Sequence, residues 1–221
     1  MKLFIPELIE PLDLDNGRVQ MIIVESPDCL FNLISVIQAQ IEGLEGPLVL
    51  SENGKSIAFS KSVELITQFF PLDLNQKNLV NRIVANMEKQ AMEEKYSKAT
   101  ELLSGIENFL LDLSMEYQCE IDYPKLSIGS ILKAAGIEIR SNSTSICEKL
   151  LEYMSLVTSL FGKKAFITVN LQCYVSQEDT EELMKTVVEH GFPMIMIEAV
   201  ERKQGKYEER TIIDRDLCII R

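Results

Sequence analysis

The alternation of apolar and polar positions changes texture twice along the chain. Val19 to Val24 (VQMIIV) is a compact apolar run of strand length. Ser26 and Pro27 follow as an N-cap and a first-turn proline. Leu30, Leu33, Ile34, Ile37 and Ile41 then mark one face of a helix over Cys29–Ile41, which Gly43 and Gly46 end. Ahead of this unit, Met1 to Leu14 predicts one or two short strands broken by Pro6 and Pro11, a pattern suited to a sheet edge. Behind it, Leu48–Leu50 and Ile57–Phe59 flank the hairpin signal Asn53-Gly54. A second helix is expected from Lys61 to Phe70, with Pro71 at its end.

From Asn75 to Glu116 there is no proline and a single glycine, Gly105. Apolar residues recur at Leu79, Ile83, Met87 and Ala91, then at Ala99, Leu102, Ile106, Phe109, Leu110 and Leu113. That is helical spacing, and the polar stretch Glu88 to Lys95 between the two sets predicts a bend or a segment standing out from the body. Ser127–Ala135 and Thr144–Phe161 add two helices, the second with Ser143 or Thr144 as its cap. After Gly162 the α/β texture returns. Ala165–Leu171 and Met194–Val200 read as strands buried on both faces, joined by a helix from Glu178 to His190 that Ser176 caps and Gly191 ends. This βαβ unit predicts a parallel pair with a right-handed crossover. A turn through Gly205 leads to two short strands within Arg210–Arg221. The expected architecture is α/β: a mostly parallel sheet domain built from residues 1–70 and 155–221, interrupted by an all-helical domain over 71–154.

Composition adds boundaries. Hydrophobic residues at 46% and charged residues at 25% are those of an ordinary globular protein. No apolar run is long enough to span a bilayer, and acids and prolines interrupt the N-terminus before a signal sequence could form, so a cytoplasmic location is expected. The five cysteines (Cys29, Cys119, Cys147, Cys173, Cys218) are scattered without a CxxC. They predict buried, inert thiols rather than a disulfide framework or a zinc site. A net charge of −12 argues against coating nucleic acid with the whole surface, but it leaves room for a local basic stripe.

Parallel sheets of this kind often hold nucleotides, yet there is no GxxxxGK[ST] and no GxGxxG. The strand Ala165–Leu171 ends in Asn170 and Gln172, neutral amides where a magnesium-holding Asp would be needed. The one histidine, His190, sits at a helix C-terminus, where it complements the dipole or caps carbonyls. Catalysis is therefore not expected. Among polar clusters, Asp112 and Glu116 are four apart, as on one helical face, and Glu120 and Asp122 are two apart, as on one side of an extended segment. Four such carboxylates repel one another unless a hard cation such as calcium joins them; the alternative is a solvated acidic face. Lys77, Arg82, Lys89, Lys95 and Lys98 lie on the long helical stretch, Lys163-Lys164 precede a strand, and Arg202, Lys203, Lys206 and Arg210 surround the last hairpin. Gathered by oligomerisation, one such group would bind phosphates without reading bases.

The order of these pieces resembles a known family. Ile131-Leu132-Lys133-Ala134-Ala135-Gly136-Ile137-Glu138-Ile139, then Ile146-Cys147-Glu148-Lys149-Leu150, then Lys163-Lys164-Ala165-Phe166-Ile167-Thr168-Val169-Asn170, and finally Leu171–Val175 leading into Ser176-Gln177-Glu178-Asp179 carry the likeness. The chain is similar to the CRISPR-associated DNA-end-binding ring proteins of type II-A adaptation modules, the Csn-two family. The resemblance implies an ATPase-like head without a phosphate loop and a helical leg. It further implies a homotetrameric ring whose lysines hold double-stranded DNA at free ends, and Ca2+ bound by acidic residues of the leg. Its implied partners are the CRISPR integrase proteins and the RNA-guided nuclease of spacer acquisition. On that basis Glu116, Glu120 and Asp122 are the metal candidates, with Asp112 beside them; Gly129-Ser130 stand where the family often has a further acid. Lys89, Lys95, Lys98, Arg82 and Lys77 are the DNA candidates. The competing reading is a degenerate ATPase-like scaffold that binds protein partners without touching DNA; a cryptic nucleotide-binding enzyme is a third.

Overall fold

Six consecutive side chains of Val19–Val24 are buried, and the strand they form is central to the main sheet. The structure is a computed structural model that describes residues 1–220. In chain order the strands and helices are β1 (Lys2–Phe4), β2 (Leu12–Asp13), β3 (Val19–Val24), α1 (Pro27–Ile41), β4 (Val49–Glu52), β5 (Lys55–Ser56), α2 (Phe59–Ser62) and β6 (Val63–Ile66). Then come the helices α3 (Lys77–Glu94), α4 (Tyr96–Ser114), α5 (Ile128–Ala134) and α6 (Ile146–Phe161). The chain closes with β7 (Ala165–Val169), a short 3-10 turn (Leu171–Cys173), α7 (Gln177–His190), β8 (Met194–Glu198), β9 (Glu208–Ile213) and β10 (Ile219–Ile220). Arg221, the last residue of the expected closing strand, lies outside the described residues.

The protein is mixed α/β with a mostly parallel sheet. It divides into two compact units: Met1–Leu72 with the chain from Asn142 onward, and Asp73–Ser141. The first unit holds a six-stranded sheet of order β10-β9-β3-β8-β7-β6, parallel throughout except for β10. A four-stranded antiparallel sheet, β2-β1-β4-β5, accompanies it. Asn53 and Gly54 both take positive φ (51° and 75°), the backbone that a two-residue β4–β5 hairpin requires.

Ile22, Val24, Ile167, Ile195, Ile197 and Ile213 form one core with Leu33 and Ile37 of α1 and with the small sheet's Leu3 and Leu50. Side chains alternate along a strand, so Met21, Ile23, Met196 and Glu198 belong to the opposite face. On that side Tyr153 of α6 donates a hydrogen bond to Glu64 of β6 (2.5 Å), and Lys164 pairs with the same carboxylate (3.0 Å).

Three expectations are corrected. Residues 61–70 are not a helix: α2 is a single turn, and Val63–Ile66 is an edge strand in register with Ala165–Thr168. Val63 and Ile66 gain burial by joining the sheet, and a four-residue apolar run carries too little periodicity to distinguish the two outcomes. The boundary expected at 154/155 would cut α6, whose buried face (Leu150, Tyr153, Met154, Val157) stays with the first unit. Finally, no cysteine is fully buried: Cys119, Cys173 and Cys218 are exposed, Cys29 and Cys147 half-buried, and all five are free.

The second unit is helical. Lys95 (φ −129°, ψ 29°) interrupts the helical path between α3 and α4, so the polar stretch ends in a bend. Asn75 closes the unit at its root. Its Nδ2 donates to the Ile139 carbonyl (3.0 Å) and its Oδ1 accepts from the Ile139 N–H (2.6 Å).

Candidate functional site

The fold sorts the basic side chains into two groups. In the first unit, Lys163 pairs with Asp15 (2.8 Å) and Lys164 with Glu64. Arg202 Nη1 donates to the Val175 carbonyl (3.0 Å). Arg210 donates to Glu201 (3.0 Å) and to the Arg202 carbonyl (2.6 Å), and pairs with Glu208 (2.5 Å). These cations are spent inside the fold. A cavity of about 560 Å³ between α7 and the 203–207 loop contains Lys185, Lys203 and Lys206, but Glu178, Glu181 and Glu182 line it too, so its charge does not select an anion.

The second unit differs. Lys77, Lys95 and Lys98 are exposed and enter no ion pair among the described residues. Lys89 makes a long, exposed pair with Glu93 (3.8 Å), a contact worth little in water. Arg82 and Lys89 are seven residues apart on α3 and share a face; Lys89, Lys95 and Lys98 follow one another around the α3–α4 junction. Lys77 lies at the other end of α3, about 18 Å along the axis from Lys89 at about 1.5 Å per residue. The five are therefore spread over α3, the junction and α4, with Lys77 apart from the rest, rather than gathered in one cluster. Charges on α3 also oppose its own dipole, with Lys77 at the N-terminus and Glu93-Glu94 at the C-terminus.

The carboxylates do not converge. α4 ends at Ser114 and the Glu116 N–H bonds back to Leu113 (3.4 Å), so Asp112 and Glu116 lose the shared helical face their spacing suggests. Glu120 and Asp122 lie in irregular chain, and Asp122 Oδ1 accepts from the next N–H, that of Tyr123 (2.9 Å). All four are exposed. Among the described residues no three His, Cys, Asp or Glu side chains are grouped so as to hold a metal. Their oxygens suit a hard cation, but a site would require these positions to be drawn together. At Gly129, where the resemblance anticipates an acid, the carboxylate comes instead from Glu88, whose Oε1 accepts the Gly129 N–H (3.0 Å).

Beside the lysines α4 leaves apolar surface uncovered. Leu102, Phe109 and Leu113 fall on one helical stripe and are 51%, 62% and 45% exposed among the described residues.

At the carboxyl ends of the parallel strands, where such sheets take ligands, the connection from β3 to α1 is only Glu25 and Ser26, with no glycine. Asn170 leaves β7 in the left-handed region (φ 54°); its N–H bonds to the Ile197 carbonyl (2.8 Å) and its Oδ1 accepts from Ala199 (2.9 Å). Glu198, the last residue of β8, is buried, and its two oxygens accept from the Gln172 N–H (3.2 and 3.3 Å). Burial pushes its carboxyl up to about 7, against the pull of the Gln172 and Leu171 N–H groups and of Arg202. The sequence directs attention to the end of β7 for an acid and so passes over this one, although it stands openly at the end of Met194-Ile195-Met196-Ile197-Glu198. His190 behaves as anticipated for a helix end: Nδ1 lies 2.8 Å from the Thr186 carbonyl and the ring stacks on Phe192.

Comparison with known proteins accords with this organisation. The family model for the CRISPR-associated protein Csn2 matches residues 40–217. A Csn2 from Streptococcus agalactiae is 23% identical over 189 residues, covering 85% of this chain and 84% of that protein. A Csn2 from Enterococcus faecalis is 20% identical over 193 residues, covering 86% of each. With the match running from the end of α1 to the β9–β10 turn, through both units, the chain belongs to the Csn2 family of CRISPR-associated proteins.

Proposed function

We propose that this protein binds double-stranded DNA without sequence preference and without catalysis, as a homotetrameric ring that grips free ends during CRISPR spacer acquisition. The observation that carries the reading is the pairing of exposed, unspent lysines at the α3–α4 junction with an uncovered apolar stripe on α4. The stripe supplies a surface for a second copy, and assembly would multiply the lysines around a common opening, so that phosphate contacts sum despite the net charge of −12. Lysines alone reach phosphates and specify no base. The glycine-free β3–α1 connection and the neutral Asn170 support a head of ATPase-like plan that has no nucleotide to turn over. The integrase proteins and the RNA-guided nuclease are the partners this role implies. The carboxylates are not assembled for a cation in the single chain, and the DNA reading does not depend on one.

The test couples mass in solution to retention of linear and closed-circular duplex across a salt series. A tetramer that retards linear DNA, releases it steeply with salt and leaves intact circles unbound is the expected result. Salt-insensitive binding, or equal binding to circles, overturns it; a tetramer that ignores DNA favours a scaffold for protein partners.

A further inference from the structure

Glu198 lies in the first unit, apart from the lysines and apolar stripe on which the proposed DNA reading rests. The chain leaving β7 folds back over the end of β8 and is held there at four points. The Asn170 N–H meets the Ile197 carbonyl, Asn170 Oδ1 takes the Ala199 N–H, both Glu198 oxygens take the Gln172 N–H, and Arg202 donates to the Val175 carbonyl. Of the four, only the Glu198 contact places a carboxyl group where water does not reach.

Three groups favour its charge, the Gln172 and Leu171 N–H groups and Arg202, and burial outweighs them. In the parallel register Ile23 of β3 stands beside it. α7 contributes Thr180, Leu183, Met184 and Val187 as its buried residues, none of them ionisable. From the turn come only the Gln172 and Leu171 N–H groups, and from the segment after β8 only Arg202 acts on it. The turn carries tension of its own: Asn170 is a non-glycine residue at positive φ, and the buried Gln172 Oε1 has no hydrogen-bond partner among the described residues. Opening would hydrate both carboxyl and amide.

We propose that Glu198 is a protonation-controlled latch holding the Leu171–Val175 turn closed over the carboxyl edge of the main sheet. The neutral carboxyl fits the closed site; the carboxylate favours an open turn in which water reaches it. Closure by this group is complete below the ordinary glutamate range near 4.5, weakens as pH rises toward about 7, and levels off beyond, because both states are then ionised.

Amide hydrogen exchange on the full chain between about pH 4.5 and 8, corrected for intrinsic rates, tests this. In the wild type the open population at residues 171–175 should grow on the order of a hundredfold up to about pH 7 and then plateau. Glu198→Gln should flatten that profile and keep the turn protected, and Glu64→Gln, at a carboxyl on β6 that touches none of the four contacts, should leave it unchanged. A flat wild-type profile, an unaltered profile in Glu198→Gln, or equal flattening by Glu64→Gln overturns the proposal. If Glu198→Gln does not fold, direct carbon-13 titration of the wild-type carboxyl decides: a midpoint near 4.5 overturns the latch, and one near 7 supports it.

Discussion

Gly129 is buried in the first turn of α5, and a Cβ there would meet the Glu88 carboxylate that accepts its N–H. That carboxylate ends a flexible side chain, so Gly129→Ala would drive it aside rather than shift the backbone. The charged hydrogen bond is then lost, while alanine's better helix propensity offsets part of the cost. A net loss of about 1 kcal/mol in denaturant unfolding is expected. Asn170 gives a graded case. Asn170→Ala loses the bond to Ala199 and places an alanine at φ 54°, at a cost of about 1–3 kcal/mol, while Asn170→Gly restores the backbone but not the bond and should fall between. Caps are the residues most legible in the sequence. Ser26 and Ser176 both accept N–H groups in the first turns of their helices, and Ser127, read from the sequence as the first residue of a helix, is the cap of α5. The cap of α6 is Ser145 rather than Ser143 or Thr144, fixed by the reciprocal box with Glu148 that Ser145-Ile146-Cys147-Glu148 spells out. Glu198 is visible as a letter but not as a buried acid, because its burial depends on a turn 26 residues earlier.

At the scale of elements, periodicity serves where it has length. α1, α3, α4 and α7 each present several turns of one-sided spacing, and all lie close to where that spacing puts them. β6 reads as helix because four residues do not establish a period, and its identity comes from β7, about a hundred residues away in sequence. Asp112 and Glu116 differ in kind: their four-residue spacing presumes a helix through Glu116, and α4 stops before it. Asn75 is an element-level tie that no local pattern announces, since its partner Ile139 is 64 residues on. Asn75→Ala should remove both bonds, lower protection of the Ile139 amide by about tenfold or more in hydrogen exchange, and leave amides of β3 and β8 unchanged. Equal loss of protection in the main sheet would show that the tie acts on the whole chain rather than on the helical unit.

For the molecule as a whole, charge location outweighs charge sum. The net charge of −12 would repel DNA, so the proposed DNA binding would rest on a small number of lysines, and salt should weaken it strongly. Replacing Lys89, Lys95 and Lys98 together with Glu is expected to reduce affinity for linear duplex by about tenfold or more. It should also lower the slope of log K against log salt by about 0.9 for each phosphate contact removed, with the melting temperature little changed because these side chains are exposed. Phe109→Glu, on the uncovered stripe of α4, should lower the mass in solution without unfolding the chain. The strand order carries one more consequence, for synthesis rather than for the finished protein. β3 is translated early, but both strands that flank it, β8 and β9, begin at residue 194 or later. At about 5–20 residues per second, a strand that is apolar on both faces therefore waits on the order of ten seconds for its partners. For that interval Val19–Val24 is an unpaired apolar strand, the part of the nascent chain most open to aggregation.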